Sequence, residues 1–138
     1  MNYRQFDNSK HDWQILHDIC YGCGSENVKK SYAYLRTAQW QGGKRFFCDI
    51  FENDKAFFAG NMGRDHIRII DLAVVHGEQR LGLGTQIMLY EIVKARYWGL
   101  RKMTLRTAIN ESGKRFWASL GGKIVGRSGE DWEMELKF

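Results

Sequence analysis

Six consecutive residues, Gln79-Arg80-Leu81-Gly82-Leu83-Gly84, have the composition of an anion-binding turn. Glycines permit a tight turn and let the backbone approach a phosphate with no Cβ in the way. The periodic segment that follows predicts a helix. The first N–H groups of a helix lack intrahelical partners and carry a partial positive charge. Gln79 or Arg80 could add a donor. The spacing is neither GxxxxGK[ST] nor GxGxxG. Taken alone, the pattern is equally that of a glycine-rich turn without a ligand. A second group, Cys20-Tyr21-Gly22-Cys23, has CxxC spacing. Zinc needs four ligands, and no second close pair follows; Cys48 and His17 could join only through the fold. The odd cysteine count argues against a disulfide framework, so ordinary thiols and no metal are expected.

These groups need a frame. Asn2 to Phe6 reads as a short strand, and Asn8-Ser9 as the N-cap of a helix carrying Trp13, Leu16 and Cys20 at helical spacing. Gly22 and Gly24 break it, Ser25 can cap a second helix with a Val28, Tyr32, Leu35 stripe, and Gly42-Gly43 ends that one. Lys44 to Glu52 and Lys55 to Met62 read as a hairpin turning at Asn53-Asp54. Ile67 to Val75 reads as a long, mostly buried strand. In the helix after the loop, Gly84, Met88, Ile92 and Ala95 form a stripe flanked by Leu89 and Val93, with Gln86, Glu91 and Lys94 expected in solvent. A strand over Lys102 to Thr107, a helix capped by Asn110, and strands over Lys123 to Arg127 and Trp132 to Phe138 complete the chain. Trp132, Met134, Leu136 and Phe138 alternate on one face, for a core or an interface, with core the better reading. The order β-α-α-β-β-β-α-β-α-β-β predicts an α/β fold: a mixed, mostly antiparallel sheet of about seven strands flanked by about four helices.

The 138 residues suit one domain over 1–138. No apolar run reaches the roughly 20 residues that span a bilayer. No apolar stretch follows the first residues as in a signal peptide, so a cytoplasmic protein is expected. The net charge of +5 fits a phosphate-bearing cofactor, an acidic or nucleic-acid-linked acceptor, or plain solubility. Lys29-Lys30, Arg36, Lys44-Arg45 and Arg64 scatter positive charge over the N-terminal half, but no aromatic–basic recognition motif accompanies them.

The stretch Leu72-Ala73-Val74 through Gln79-Arg80-Leu81-Gly82-Leu83-Gly84 resembles the signature of the GNAT superfamily of acetyl-CoA-dependent N-acetyltransferases: L-x-V, a short turn, R/Q-x-x-G-x-G/A, then a long amphipathic helix. Asn110 to Gly122 is similar to that family's N-x-x-A/G-x-x-F-Y-x-x-L-G-F segment. The match is specific from Ile67 to Gly122 and loose from Met1 to Met62. The resemblance implies that Leu72, Ala73 and Val74 bind the pantetheine arm of acetyl-CoA through their backbone. It implies that Gln79, Arg80, Leu81, Gly82, Leu83, Gly84 and Thr85 cradle the pyrophosphate. Asn110 would contact the arm, or only cap its helix. The reaction implied is acetyl transfer to an amine, with a base removing the amine proton and an acid protonating the thiolate.

The sequence departs from the family at those two groups. Trp117 stands where the usual acid is Tyr, which makes it a packing residue or a wall of the pantetheine channel. Leu105, and Arg68 or Ile70, stand where a base is usual. Asp71 is the nearest carboxylate, as base or as a structural contact; strict alternation sets it on the face opposite Arg68, Ile70 and Leu72, and the resemblance implies that a bulge, common on this strand in the family, could change that. His76 at the loop and His66 at the far end of the strand could relay a proton or face an acceptor, or be plain exposed residues. The expected function is an N-acetyltransferase whose acceptor is a small amine, a protein amine or an aminoacyl-tRNA. The alternative is a non-catalytic acyl-CoA-binding module, favoured by the missing Tyr and Glu. A scaffold keeping only the fold is argued against by the intact Gln79–Gly84 loop. The resemblance also allows a homodimer.

Overall fold

The structure, a computed structural model, describes residues 2–24, 26–42, 45–109 and 113–138, without the side chains of 26, 27, 31, 38–42, 80 and 81. Its elements are β1 (Tyr3–Gln5), α1 (Lys10–Gly22), α2 (Glu26–Gly42), β2 (Phe46–Phe51), β3 (Ala56–Met62), β4 (Ile67–Val74), a 3₁₀ helix (His76–Leu81), α3 (Leu83–Tyr97), β5 (Lys102–Ala108), α4 (Gly113–Ser119), β6 (Lys123–Ser128) and β7 (Asp131–Lys137). One seven-stranded sheet has the order β1-β2-β3-β4-β5-β7-β6. Only β4 and β5 run parallel; the other neighbours are antiparallel. This is the mixed, mostly antiparallel sheet with four helices that the element order predicts.

Local chemistry fixes the ends. Ser9 caps α1, its hydroxyl accepting from the Asp12 N–H at 3.0 Å. Asp12 in turn accepts both terminal nitrogens of Arg4 at 3.0 and 2.7 Å, which ties α1 to β1. The Arg4 guanidinium is the main cause that holds Asp12 at about 2. The β2–β3 turn has three successive left-handed residues, Glu52, Asn53 and Asp54. Asn and Asp tolerate that conformation better than most residues.

Two cores form, one on each face. Trp13, Leu16, Ile19, Cys20 and Leu35 pack on Cys48, Ile50, Phe57, Ala59 and Ala73, so α1 and α2 cover one face. Leu83, Ile87, Met88 and Trp117 pack on Phe58, Ile69, Met103, Leu105 and Met134, so α3 and α4 cover the other. Each large side chain buried this way stabilises by about 1.5–3 kcal/mol. Trp132, Met134, Leu136 and Phe138 all belong to this second core. Cys20, Cys23 and Cys48 are buried. Among the described residues, no helix is long and apolar enough to cross a membrane.

The buried face of α3 differs from the expected stripe. Leu83, Ile87, Met88, Glu91 and Ala95 point inward. Leu89 and Val93, expected beside the core, are 55% and 67% exposed. Glu91, expected in solvent, is fully buried, and Lys94 is largely covered. The reason lies across the sheet. Buried Asp49 on β2 pairs with the Lys94 ammonium. The rings of Tyr3, Phe47, Tyr90 and Trp98 surround that ammonium at 5.2–5.5 Å. A counter-ion and four aromatic faces make this side of α3 hospitable to charge.

Candidate functional site

The site begins with an irregularity in β4. Its register with β3 shifts between Ala59 and Gly60, so that Ala59 opposes Asp71 and Gly60 opposes Ile69, leaving Ile70 as an extra residue. Such a bulge bends the strand and re-aims its side chains. Ile70 packs with the α1 core, and Asp71 lies opposite Ala59 of that same core. Asp71 therefore shares a face with Arg68 and Ile70, whereas strict alternation would oppose them; Leu72 faces the α3 side. The bend also parts the sheet. β4 pairs with β5 only through Ile67↔Met103 and Arg68↔Thr104. Beyond these pairs the two parallel strands diverge around a cleft of about 530 Å³.

The cleft has two sides. Leu72, Leu105, Phe116 and Trp117 line it from the α3–α4 side; Cys23, Lys30, Asp71 and Arg106 line it from the α1–α2 side. Leu72, Ala73 and Val74 border it along β4, and Gln79 lies at one end. The Gln79 amide nitrogen donates to the carbonyls of Cys23 at 2.7 Å and Val74 at 2.9 Å. Both amide hydrogens of Gln79 are thus engaged in tying α1 and β4 to the loop. The loop is a 3₁₀ helix from His76 to Leu81, where a bare glycine-rich turn was expected. Arg80 and Leu81 lie on it, and Asn110 lies outside the described residues.

Gly82 and Gly84 do different things. Gly82 has φ 70 and ψ 18, a left-handed residue that ends the 3₁₀ helix and starts α3 without any side-chain cap. Among the described residues, a Cβ there would meet nothing within 4 Å. The space before the first N–H groups of α3 is therefore open to a ligand. At Gly84 a Cβ would come 3.2 Å from Phe116 Cε1, so this glycine lets α4 pack against α3. Leu83 is buried and Thr85 exposed.

The titratable groups sort by geometry. Burial first, then the charge of Asp71, pushes the Cys20 thiol well above its ordinary value, so Cys20 is no nucleophile at neutral pH. His66 pairs with Asp65 at 2.8 Å and does not line the cleft; His76 is exposed and lies against Gly24. Trp117 is 8% exposed, edge-on to Phe116. Among the described residues, no three His, Cys, Asp or Glu side chains are placed to hold a metal ion. Sequence reasoning missed an ion cluster beside Asp71. Arg68 donates through both terminal nitrogens to Glu133 at 2.9 and 3.0 Å, and Arg106 donates through Nε to the same carboxylate. Arg68, with Arg106, holds Glu133 at about 2 despite its burial, so Glu133 is an anchor and no base. Alternation in β5 signals that Arg106 opposes Leu105, but nothing local announces that β7 will lie beside it.

The split parallel pair thus leaves a cleft with one apolar and one charged wall, and α3 starts without a side-chain cap. Residues 13–122 match the model of the Acetyltransferase (GNAT) family. That is most of the chain, and the chain belongs to this family. No curated protein sequence matches it. Among solved structures, PaiA N-acetyltransferase from Thermoplasma acidophilum in complex with coenzyme A superposes with TM-score 0.79 at 16% identity, covering 100% of both chains. Ribosomal-protein-S18-alanine N-acetyltransferase from Escherichia coli gives 0.74 at 17%, covering 99% of this chain and 94% of that one. Aminoglycoside 6'-N-acetyltransferase from Enterococcus faecium gives 0.75 at 16%, covering 99% and 97%. At these identities the likeness is one of fold.

Proposed function

We propose that this chain is an acyltransferase that moves an acetyl group from acetyl-CoA to an amine by direct attack. The observation that carries this reading is the parting of β4 from β5 beyond Arg68, which leads along Leu72–Val74 to the uncapped start of α3. The coenzyme A held by the Thermoplasma structure supports it. The backbone of Leu72, Ala73 and Val74 would bind the pantetheine arm as an added strand. The backbone N–H groups from Gln79 to Thr85 would receive the pyrophosphate, with Arg80 adding charge. Asn110 would contact the arm. The thioester then lies between Leu105 and Trp117 on one side and Asp71 on the other. The amine nitrogen attacks the carbonyl carbon, the carbon–sulfur bond breaks, and coenzyme A leaves as thiolate. Asp71 takes the amine proton, directly or through water.

Trp117 limits this machinery. An indole N–H can donate a hydrogen bond but does not titrate usefully. The thiolate must therefore draw its proton from water. Trp117→Tyr should leave acetyl-CoA affinity unchanged and raise turnover, measured as free thiol released with a mixture of amines. A loss of affinity or of folding stability would mark Trp117 as a packing residue instead. The apolar Leu105 and Trp117 at the reacting position also favour a second reading, a non-catalytic acyl-CoA-binding module. Release of free coenzyme A that depends on amine supports the transferase; binding with no release across the amine mixture supports the module.

A further inference from the structure

We infer that the acceptor amine also carries a carboxylate, received by the guanidinium of Arg106; this rests on the acyltransferase reading above. Arg106 lines the cleft on the same side as Asp71, and its side chain is 55% exposed. It is anchored along one edge only. Its Nε donates to Glu133 Oε1 at 2.5 Å, while both terminal nitrogens of Arg68 occupy the two oxygens of that carboxylate. Among the described residues, Nε makes the side-chain hydrogen bond of Arg106, and its two terminal nitrogens make none. A guanidinium fixed by Nε and open at its outer pair is pre-oriented for bidentate recognition of a planar anion. Glu133 is committed to Arg68 and stays ionised, so it holds the fork without cancelling it.

The charge around the fork narrows the acceptor class. The charged side chains lining the cleft among the described residues are Lys30, Arg106, Asp71 and Asp131, whose formal charges cancel. Asp131 acts on Arg106 through its charge, after Glu133. A polycationic acceptor would call for a predominantly acidic cleft. A plain alkylamine would leave the half-exposed Arg106 fork to water and gain no contact from it. A zwitterion presents an ammonium to the carboxylates and a carboxylate to Arg106. The acceptor class is thus a free amino acid or a short peptide.

The test compares free amino acids, dipeptides, amino-acid amides and the corresponding decarboxylated amines as acceptors, following free thiol with acetyl-CoA present. Acetylation should be confined to compounds with a carboxylate, and the dipeptide arm tells whether that group lies on the reacting residue or beyond it. Arg106→Gln should raise the KM for the acceptor by about tenfold or more, the loss expected for a charge-assisted bidentate contact, with KM for acetyl-CoA unchanged. Arg106→Lys should restore only part of it, since a lysine keeps the charge without the fork. Equal use of amides or decarboxylated amines would overturn the inference. So would a fall in kcat with the acceptor KM unchanged, or bound acetyl-CoA with no carboxylate-bearing amine acetylated. Failure to bind acetyl-CoA would instead overturn the acyltransferase reading itself.

Discussion

Gly82→Val should weaken acetyl-CoA binding about a hundredfold while leaving the fold intact. Two effects combine. At φ 70 a β-branched residue is strained, at roughly 1–2 kcal/mol, and relief of that strain turns the first N–H groups of α3 away from the anion. The new side chain also projects into space where, among the described residues, no atom lies within 4 Å, and which the pyrophosphate would fill. Losing two charge-assisted hydrogen bonds costs about 3 kcal/mol, or about two decades in affinity. Gly84→Ala should behave differently. Its Cβ meets Phe116, so it should cost about 1 kcal/mol of stability through α4, with the smaller change in affinity. Calorimetric titration with acetyl-CoA, paired with thermal unfolding of each variant, separates the two. Unchanged affinity in a folded Gly82→Val protein would refute the loop as the pyrophosphate site.

Glu91→Gln should make the protein more stable at alkaline pH. Burial, and then the neighbouring Asp49 carboxylate, raises Glu91 from its ordinary value of 4.5 to about 9. Lys94 lies 3.2 Å away, yet neither Glu91 oxygen accepts an aligned hydrogen bond, so the neutral acid is favoured. The sign follows from proton counting. Below 4.5 the folded and unfolded chains both hold this proton. Between 4.5 and 9 only the folded chain holds it, so stability falls as pH rises, by up to about 1.4 kcal/mol per pH unit. Glutamine keeps a neutral amide in the same space and does not titrate. Wild type and variant should melt together near pH 5, with the variant ahead by a few kcal/mol near pH 8. Asp12 and Glu133, both held at about 2, act in a separate acid window, where their stabilisation is lost as pH falls. Parallel melting curves across pH for the two proteins would contradict the buried neutral acid.

What the sequence makes legible is local. Ser9 as a cap, the Asn53-Asp54 turn, the long β4 run and the glycines before α3 are each set by residues within a few positions. Periodicity and turn chemistry report on that range. The buried Glu91 was not legible because Asp49, which faces it, comes from a distant strand, β2. The family resemblance allows a bulge on β4, but its place at Ile70 was not legible because it is a mismatch of register between two strands and has no single-residue signature. The same holds for Gln79, which reads as a loop donor until α1 delivers the Cys23 carbonyl from 56 residues away. Arg106 is ordinary in sequence and acquires a role only when β7 inserts between β5 and β6 and brings Glu133 beside it. The motif marks the β4–α3 side of the cleft, and the sheet order composes the side where Arg106 lies.

The central claim is that the cleft between β4 and β5, ending at the uncapped α3, holds an acyl-CoA. Isothermal titration of the wild-type chain with acetyl-CoA tests it most directly. The account predicts saturable binding of one molecule per chain, lost in Gly82→Val and retained in Trp117→Tyr. A folded wild-type protein that takes up no acetyl-CoA would contradict it.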